Sequence, residues 1–325
     1  MVKNVNTFFS FIFFILLIAI SLILSFGSGF SALTLEGIKL WLLLILPAMF
    51  PYFFITAILS SLSITSKISN KFSPLTKRLF NVGGGCGYAF FMSLIAGYPI
   101  GAKIIGDLFD KGAINQSEAI RASTFCSTSS PMFLISSVGA IMFKNSFFGV
   151  ILLISSTLSA IIIGIISSNY NKHDKPSATP FISSQKLDNI LYESAYSSVI
   201  SVLVVGAIIT VFYILSSLLF RFNILLPIIS LFALILGDFN RAKALTFGLI
   251  ESTSGLKILS SLSFNLLSLP LSAFICGFGG LSVIMQSATY LKKAKIKTAP
   301  FIKAKLLCAV LNFIITLIIC LIFGL

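Results

Sequence analysis

Apolar runs of about twenty residues, separated by short basic segments, recur along the whole chain, the pattern of helices that cross a bilayer. A first run from Phe8 to Phe26, after Lys3, reads as a retained span rather than a cleaved leader, and it defines a leading segment at 1–34. The next run, Leu40 to Leu62, carries Pro47 and Pro51 and is expected to kink. Phe147 to Ile166 and Ala195 to Phe220 are uninterrupted, and a last run spans about Leu306 to Phe323. Phe222 to Gly237, with Pro227, is short for a crossing, so its status stays open. The polar stretch 169–189 divides the chain into 35–168 and 190–325.

Two apolar stretches are broken by glycine. Ala96-Gly97-Tyr98-Pro99-Ile100-Gly101-Ala102-Lys103 separates arms too short to cross roughly 30 Å of hydrocarbon at about 1.5 Å per residue. A re-entrant helical hairpin near 84–109 fits, with a single kinked helix as the plainer alternative. Gly277-Phe278-Gly279-Gly280-Leu281-Ser282 is a similar break, giving a second hairpin near 266–290. Opened backbone in hydrocarbon survives only where protein or water covers it, and paired breaks in two halves point to a transporter site.

An ungapped alignment from Gly97 and Gly279 sets Arg121 on Lys303, Cys126 on Cys308 and Ser130 on Asn312, while Glu36 to Leu62 resembles Glu193 to Leu219. The expected fold is therefore an all-α polytopic membrane protein of two structural repeats, each with a re-entrant helical hairpin and a discontinuous helix. The inverted arrangement is preferred; it requires that 222–237 not cross, and a crossing there makes the repeats parallel. With this alignment, inversion puts Lys292, Lys293, Lys295, Lys297, Lys303 and Lys305 outside, against the positive-inside rule.

Composition supports the membrane reading: 57% of residues are hydrophobic, 10% are charged, and the mean hydropathy is +1.06, far from a soluble domain. The net charge of +14 is carried by short segments flanking the apolar runs, so it indicates a bilayer rather than nucleic acid. Lys67, Lys71, Lys77 and Arg78 mark a cytoplasmic loop, within which Pro74 to Val82 reads as an interfacial helix. Cys86, Cys126, Cys276, Cys308 and Cys320 lie in apolar runs without metal-ligand spacing, and the single histidine, His173, lies in the polar linker. No Walker A loop is present. Neither an enzyme nor a cofactor is expected.

After the first break, Asn115-Gln116-Ser117-Glu118 reads as a capped helix start. That helix runs into Cys126-Ser127-Thr128-Ser129-Ser130-Pro131, either a second unwound point or a hydroxyl-rich packing seam. Candidate substrate-binding residues are Gly97, Tyr98, Pro99, Gly101 and Lys103 at the first tip, with Ser127, Thr128, Ser129 and Ser130 opposite. Gly277, Gly279, Gly280 and Ser282 at the second tip and Asn312 complete the set. Helix N-termini at such tips suit a carboxylate, and Lys103 adds positive charge unless it snorkels outward. Arg121, Glu251 and Gln286 are weaker candidates; Glu251 is read as a headgroup-level acid near Arg241, Lys243 and Lys257.

Gly97-Tyr98-Pro99-Ile100-Gly101-Ala102-Lys103, Ser129-Ser130-Pro131 and Gly277-Phe278-Gly279-Gly280-Leu281-Ser282-Val283 resemble motifs of the YlbJ/SpoVV sporulation integral membrane protein family over about Leu35 to Phe323. The resemblance implies a nucleoside-recognition, or Gate, fold similar to concentrative nucleoside transporters, with two re-entrant hairpins meeting two discontinuous helices. It also implies dipicolinate as a small anionic cargo moved across the outer forespore membrane during endospore formation. The hydroxyls at 127–130 stand where that resemblance leads one to expect asparagine. A membrane scaffold of a sporulation complex is the alternative function, and a homo-oligomer is an open expectation.

Overall fold

The computed structural model describes residues 30–61, 64–170 and 189–325, and every regular element among them is helical. The run from Phe8 to Phe26, His173 and nearly all of the linker at 169–189 lie outside the described residues. α1 (Phe30–Leu40) passes through a π-helical turn (Trp41–Ile45) into α2 (Leu46–Ser61), with a 57° bend between Phe30–Ile45 and Met49–Leu59. The wide turn lies just before Pro47, whose missing N–H prevents the regular bond there.

α3 (Ile64–Phe80) meets α4 (Gly84–Ala96) at 94°. It exposes Lys71, Lys77 and Arg78 and buries Thr76 and Phe80, so it is an amphipathic helix across the end of α4, longer than Pro74 to Val82. Pro74 is accommodated on its exposed face. After α5 (Ile100–Asp110), α6 (Gln116–Phe125) starts with a capping box: Asn115 Oδ1 accepts the Glu118 N–H at 2.9 Å, and Glu118 Oε2 accepts that of Asn115 at 3.1 Å. Glu118 Oε1 also accepts the Gly83 N–H at 2.8 Å, tying α6 to the start of α4. A π-helix (Phe133–Met142) and α7 (Ser146–Ser167) complete the first half.

The second half comprises α8 (Ile190–Arg221), α9 (Leu226–Leu236), α10 (Phe239–Ile250), α11 (Ser252–Ser260), α12 (Ser268–Phe278), α13 (Gly280–Lys293) and α14 (Ala299–Phe323). Among the described residues, Ser146–Ser167, Ile190–Arg221, Ser268–Lys293 and Ala299–Phe323 are long and apolar enough to cross a bilayer, and the bent pair Phe30–Ile45 and Met49–Leu59 qualifies together. Leu203, Val211, Leu307 and Ile318 stand exposed on these helices, an apolar surface suited to lipid. α9 has 11 residues, about 16 Å of helix, roughly half the hydrocarbon thickness.

Packing separates two kinds of break. α4 folds back along α5, and α10 folds back along α11. In the second pair the helices approach so closely that a Cβ at Gly255 would overlap the backbone of Gly248. α12 and α13 behave differently from the hairpin expected at 266–290: α12 packs on α14, α13 packs on α5, and the two do not pack along each other. Each has an outside partner, so the chain there is a broken continuous stretch. The packed hairpin of the second half lies one element earlier, at 239–260, and the alignment of Gly97 on Gly279 does not follow this element order.

The helix ends sort into two groups. At one end, Phe148 stacks on Phe264 at 4.9 Å and Phe147 meets Phe323 at 5.9 Å. At the other, Asn81 Nδ2 donates to the Ser168 carbonyl, Arg121 Nη1 to the Tyr170 carbonyl, and Gly106 of α5 lies beside Tyr290 of α13. This second end carries α3 and the lysines that follow α13, so it is the end that the positive-inside rule expects on the cytoplasmic side. All five cysteines are buried, so the native background is quiet toward a thiol reagent. In intact cells an impermeant maleimide is therefore expected to label Lys144→Cys and Ser263→Cys but not Asn70→Cys or Lys297→Cys until the membrane is opened; the reverse pattern overturns this orientation.

Candidate functional site

Each packed hairpin presses its tip against a break in another helix. The first tip, Gly97 to Pro99, sits on the unwound segment after α6. Tyr98 N–H donates to the Thr128 carbonyl at 2.8 Å, and Thr128 Oγ1 donates to the Ser93 carbonyl at 2.7 Å. Ser129 Oγ donates to Tyr98 Oη at 3.0 Å, and Ser130 Oγ accepts the Phe133 N–H, capping the turn at Pro131 and Met132 that leads into the π-helix. The segment Cys126 to Ser130 is thus a true break whose freed backbone is satisfied by the hairpin. A Cβ at Gly101 would overlap the Cys126 carbonyl oxygen, so this contact depends on glycine.

The second tip is Glu251, between α10 and α11. Its carboxylate caps α11, Oε1 accepting the Thr253 N–H at 2.9 Å and Oε2 the Ser254 N–H at 2.6 Å. The Gly279-Gly280 break lies against this tip: a Cβ at Gly280 would sit 3.0 Å from Ser252 N and 3.2 Å from the Ile250 carbonyl oxygen. Both glycines take positive φ, 82° and 76°, which a side chain would oppose. Glu251 is 1% exposed, so it is not the headgroup-level acid expected. The short α10 and its turn back bring position 251 into the protein interior.

Between the two tips lies a cation that the sequence reading placed among surface lysines. Lys305 of α14 is 1% exposed; its Nζ donates to the Ser127 carbonyl at 3.0 Å and stands 5.2 Å from the Tyr98 ring centre. It has no ion-pair partner among the described residues. A Cβ at Gly279 would lie 3.7 Å from this Nζ. The signal was available in the helical period: Lys305 is seven residues before Asn312, and both lie on the buried face of α14 with Phe301, Cys308 and Thr316.

Tyr98, Ser127 and Gly279 lie around Lys305; Ser129 bonds to Tyr98, Gly97 packs on Ser130, and Gly277 leaves room for the Asn312 amide further along α14. Both polar atoms of Asn312, Ser127 Oγ and Ser282 Oγ are buried without a hydrogen-bond partner among the described residues, and Gln286 Nε2 is too. Such orphans are costly away from water and mark places where a polar ligand or water completes the bonding. The N-termini of α5, after Tyr98 and Pro99, and of α13, after Gly279, border this region and favour negative charge, whereas that of α11 is capped by Glu251.

Other candidates lie apart. Lys103 points to α8, its Nζ 3.4 Å from Ser197 Oγ, in a cleft shared with Pro99, Phe53 and Ser201. It snorkels away from the tip because it stands three residues into α5, beyond the turn that faces Ser127. Arg121 is fully buried and binds the Tyr170 carbonyl at 2.7 Å, in a separate cleft with Lys303. Gln286 and Tyr98 line a small cavity with Glu251, Ser252 and Thr253, described below.

A chain of this kind is a multi-pass integral membrane protein with polar helix breaks meeting in its interior. Its sequence is 27% identical over 304 residues to the sporulation integral membrane protein YlbJ of Bacillus subtilis (strain 168), a match taking in 83% of this chain and 72% of that one. The chain is thus similar to that protein along most of its length. No protein-family model matches the chain, and no solved structure does.

Two glycines of α5 separate close contact from mere proximity. Gly101→Ala is expected to lower the thermal unfolding midpoint in detergent by several degrees, since overpacking costs about 1–3 kcal/mol or more. Gly106→Ala, whose Cβ would meet the Tyr290 carbonyl oxygen at 3.3 Å and need a shift of only a few tenths of an ångström, is expected to lower it less. Equal midpoints for the two variants would contradict the tip-on-break contact.

Proposed function

We propose that this protein is a transporter or facilitator of a small carboxylate, by its resemblance dipicolinate during endospore formation, in the outer forespore membrane. The observation that carries the reading is Lys305: a fully buried lysine with no ion-pair partner among the described residues, placed where a hairpin tip, two helix breaks and a set of unpaired hydrogen-bonding groups come together. A cation at membrane depth costs on the order of 2.5–3.5 kcal/mol on insertion scales and by default serves a polar path or a counter-ion. The one hydrogen bond of Lys305 among the described residues, to the Ser127 carbonyl at 3.0 Å, leaves two of its three N–H donors for a substrate.

Element order supports inverted repeats of a Gate-like fold. The sequence of long helix, short helix, packed hairpin, broken helix and long helix runs through 30–167 and again through 190–323. The bent pair α1–α2, the broken stretch of α6 with the π-helix, and α7 make three crossings before α8, so the second half starts on the opposite side. α9, too short to cross, takes the place of α3. In this register the lysines after α13 return to the side of α3 and the linker, and inversion agrees with the positive-inside rule.

The test is uptake of radiolabelled dipicolinate by proteoliposomes. Lys305→Gln is expected to raise the half-saturating concentration roughly ten- to a hundredfold, the loss of one charge-assisted contact of about 1.5–3 kcal/mol. Lys103→Gln should leave it near wild type. Wild-type protein that inserts and folds but moves neither dipicolinate nor a nucleoside would overturn transport and favour the scaffold.

A further inference from the structure

Glu251 is the second buried charge that the fold leaves unpaired. It has no ion-pair partner among the described residues, and its two oxygens each accept a single backbone N–H of α11. It lines a small cavity of about 20 Å³, room for one water, together with Tyr98, Ser252, Thr253 and Gln286. Gln286 is 5% exposed, and its Nε2 has no partner, so a polar atom in that space has a donor waiting for it. Lys305 and Glu251 flank a single two-residue break: Gly279 faces the lysine and Gly280 the Glu251 turn, with Tyr98 between the two charges.

Resting on the transport reading above, we infer that Glu251 is the coupling site and that its ligand is a proton, carried in the same step as the anion held by Lys305. In that step the carboxylate takes a proton from a hydronium ion reaching the cavity, forming one O–H bond on Glu251, and returns it to water on the other side. One negative charge on the substrate is thereby offset by one proton. A metal cation does not fit this geometry. Backbone N–H groups already point at both oxygens, presenting positive charge where a cation would stand, and a cavity for one water holds no shell of five or six oxygens.

Burial favours the neutral acid, whereas the two N–H bonds and the N-terminus of α11 favour the carboxylate, so a small movement of the Gly279-Gly280 break changes the balance. The titratable groups in electrostatic reach are Tyr98 from the α4–α5 turn and Tyr213 from α8. On the hairpin itself, Arg241 pairs with Asp238 at the far end of α10, Lys243 lies over the Phe220 ring, and Lys257 of α11 stands beyond the capped turn. Cys276 is the titratable group of α12, and those of α13, Tyr290 to Lys293, lie at its far end; α9 and the π-helix have none.

Two measurements on the full chain test this. Dicyclohexylcarbodiimide adds to protonated carboxyl groups in apolar surroundings, so mass spectrometry of the purified protein should show labelling of Glu251 that falls as pH rises. Labelling that is absent or constant from pH 5 to about pH 9 overturns the proposal. In proteoliposomes with the membrane potential clamped at zero, an interior one pH unit more alkaline should accumulate dipicolinate up to about tenfold at one proton per anion. Glu251→Gln should reach the same level with and without the gradient, and Glu251→Asp, which keeps the acid and the cap, should restore the response. Uptake by wild type that ignores the gradient overturns the coupling alone; no uptake at all overturns transport and coupling together.

Discussion

Hydrocarbon offers no hydrogen-bond partners, so every peptide group that leaves a helix inside the membrane must find one in the protein. This constraint governs the interior of the molecule. The chain interrupts helices at Gly97 to Pro99, Cys126 to Ser130, Glu251 and Gly279-Gly280, and it satisfies the interruptions in pairs. The first hairpin tip bonds to Thr128 and Ser129, and the second tip caps its own returning helix and rests on Gly280. Glycine appears where backbone meets backbone, at Gly101 on the Cys126 carbonyl and at Gly248 on Gly255.

Pairing breaks in this way leaves a polar interior that helix packing alone does not need. Serine and threonine satisfy most of it, Lys305 and Glu251 bond freed backbone while bringing charge inside, and Asn312 and Gln286 keep polar atoms without a partner among the described residues. The charges of Lys305 and Glu251 are opposite and sit on either side of one hinge. The Gly279-Gly280 break touches both, Gly279 facing Lys305 and Gly280 the Glu251 turn.

The outer surface follows simpler rules. α8, α9 and α14 turn apolar side chains outward, and the basic residues collect at one end of the helices. Similarity to a sporulation membrane protein fits this body plan, and the interior charges give it a chemistry that the name alone does not.

Much was determined by the sequence. Length and polarity of the apolar runs are local properties, so the membrane class, the kink in the span with Pro47 and Pro51, the capped start at Asn115 and the breaks at Gly97 and Gly279 could be read from the chain, while Cys126 to Ser130 stayed open between an unwound point and a packing seam. The residues around the first tip were legible because glycine, proline and clustered hydroxyls are rare choices in lipid-facing helices. Partnership was not legible. Gly97 and Gly279 look alike in sequence, yet one closes a packed hairpin and the other a broken stretch, because the difference lies in which helices flank each arm. Lys103 and Lys305 are equally plausible cations in one dimension; only packing turns the first toward α8 and buries the second over Tyr98. Glu251 likewise looked like a surface acid among basic neighbours, and the fold of α10 against α11 carried it inside.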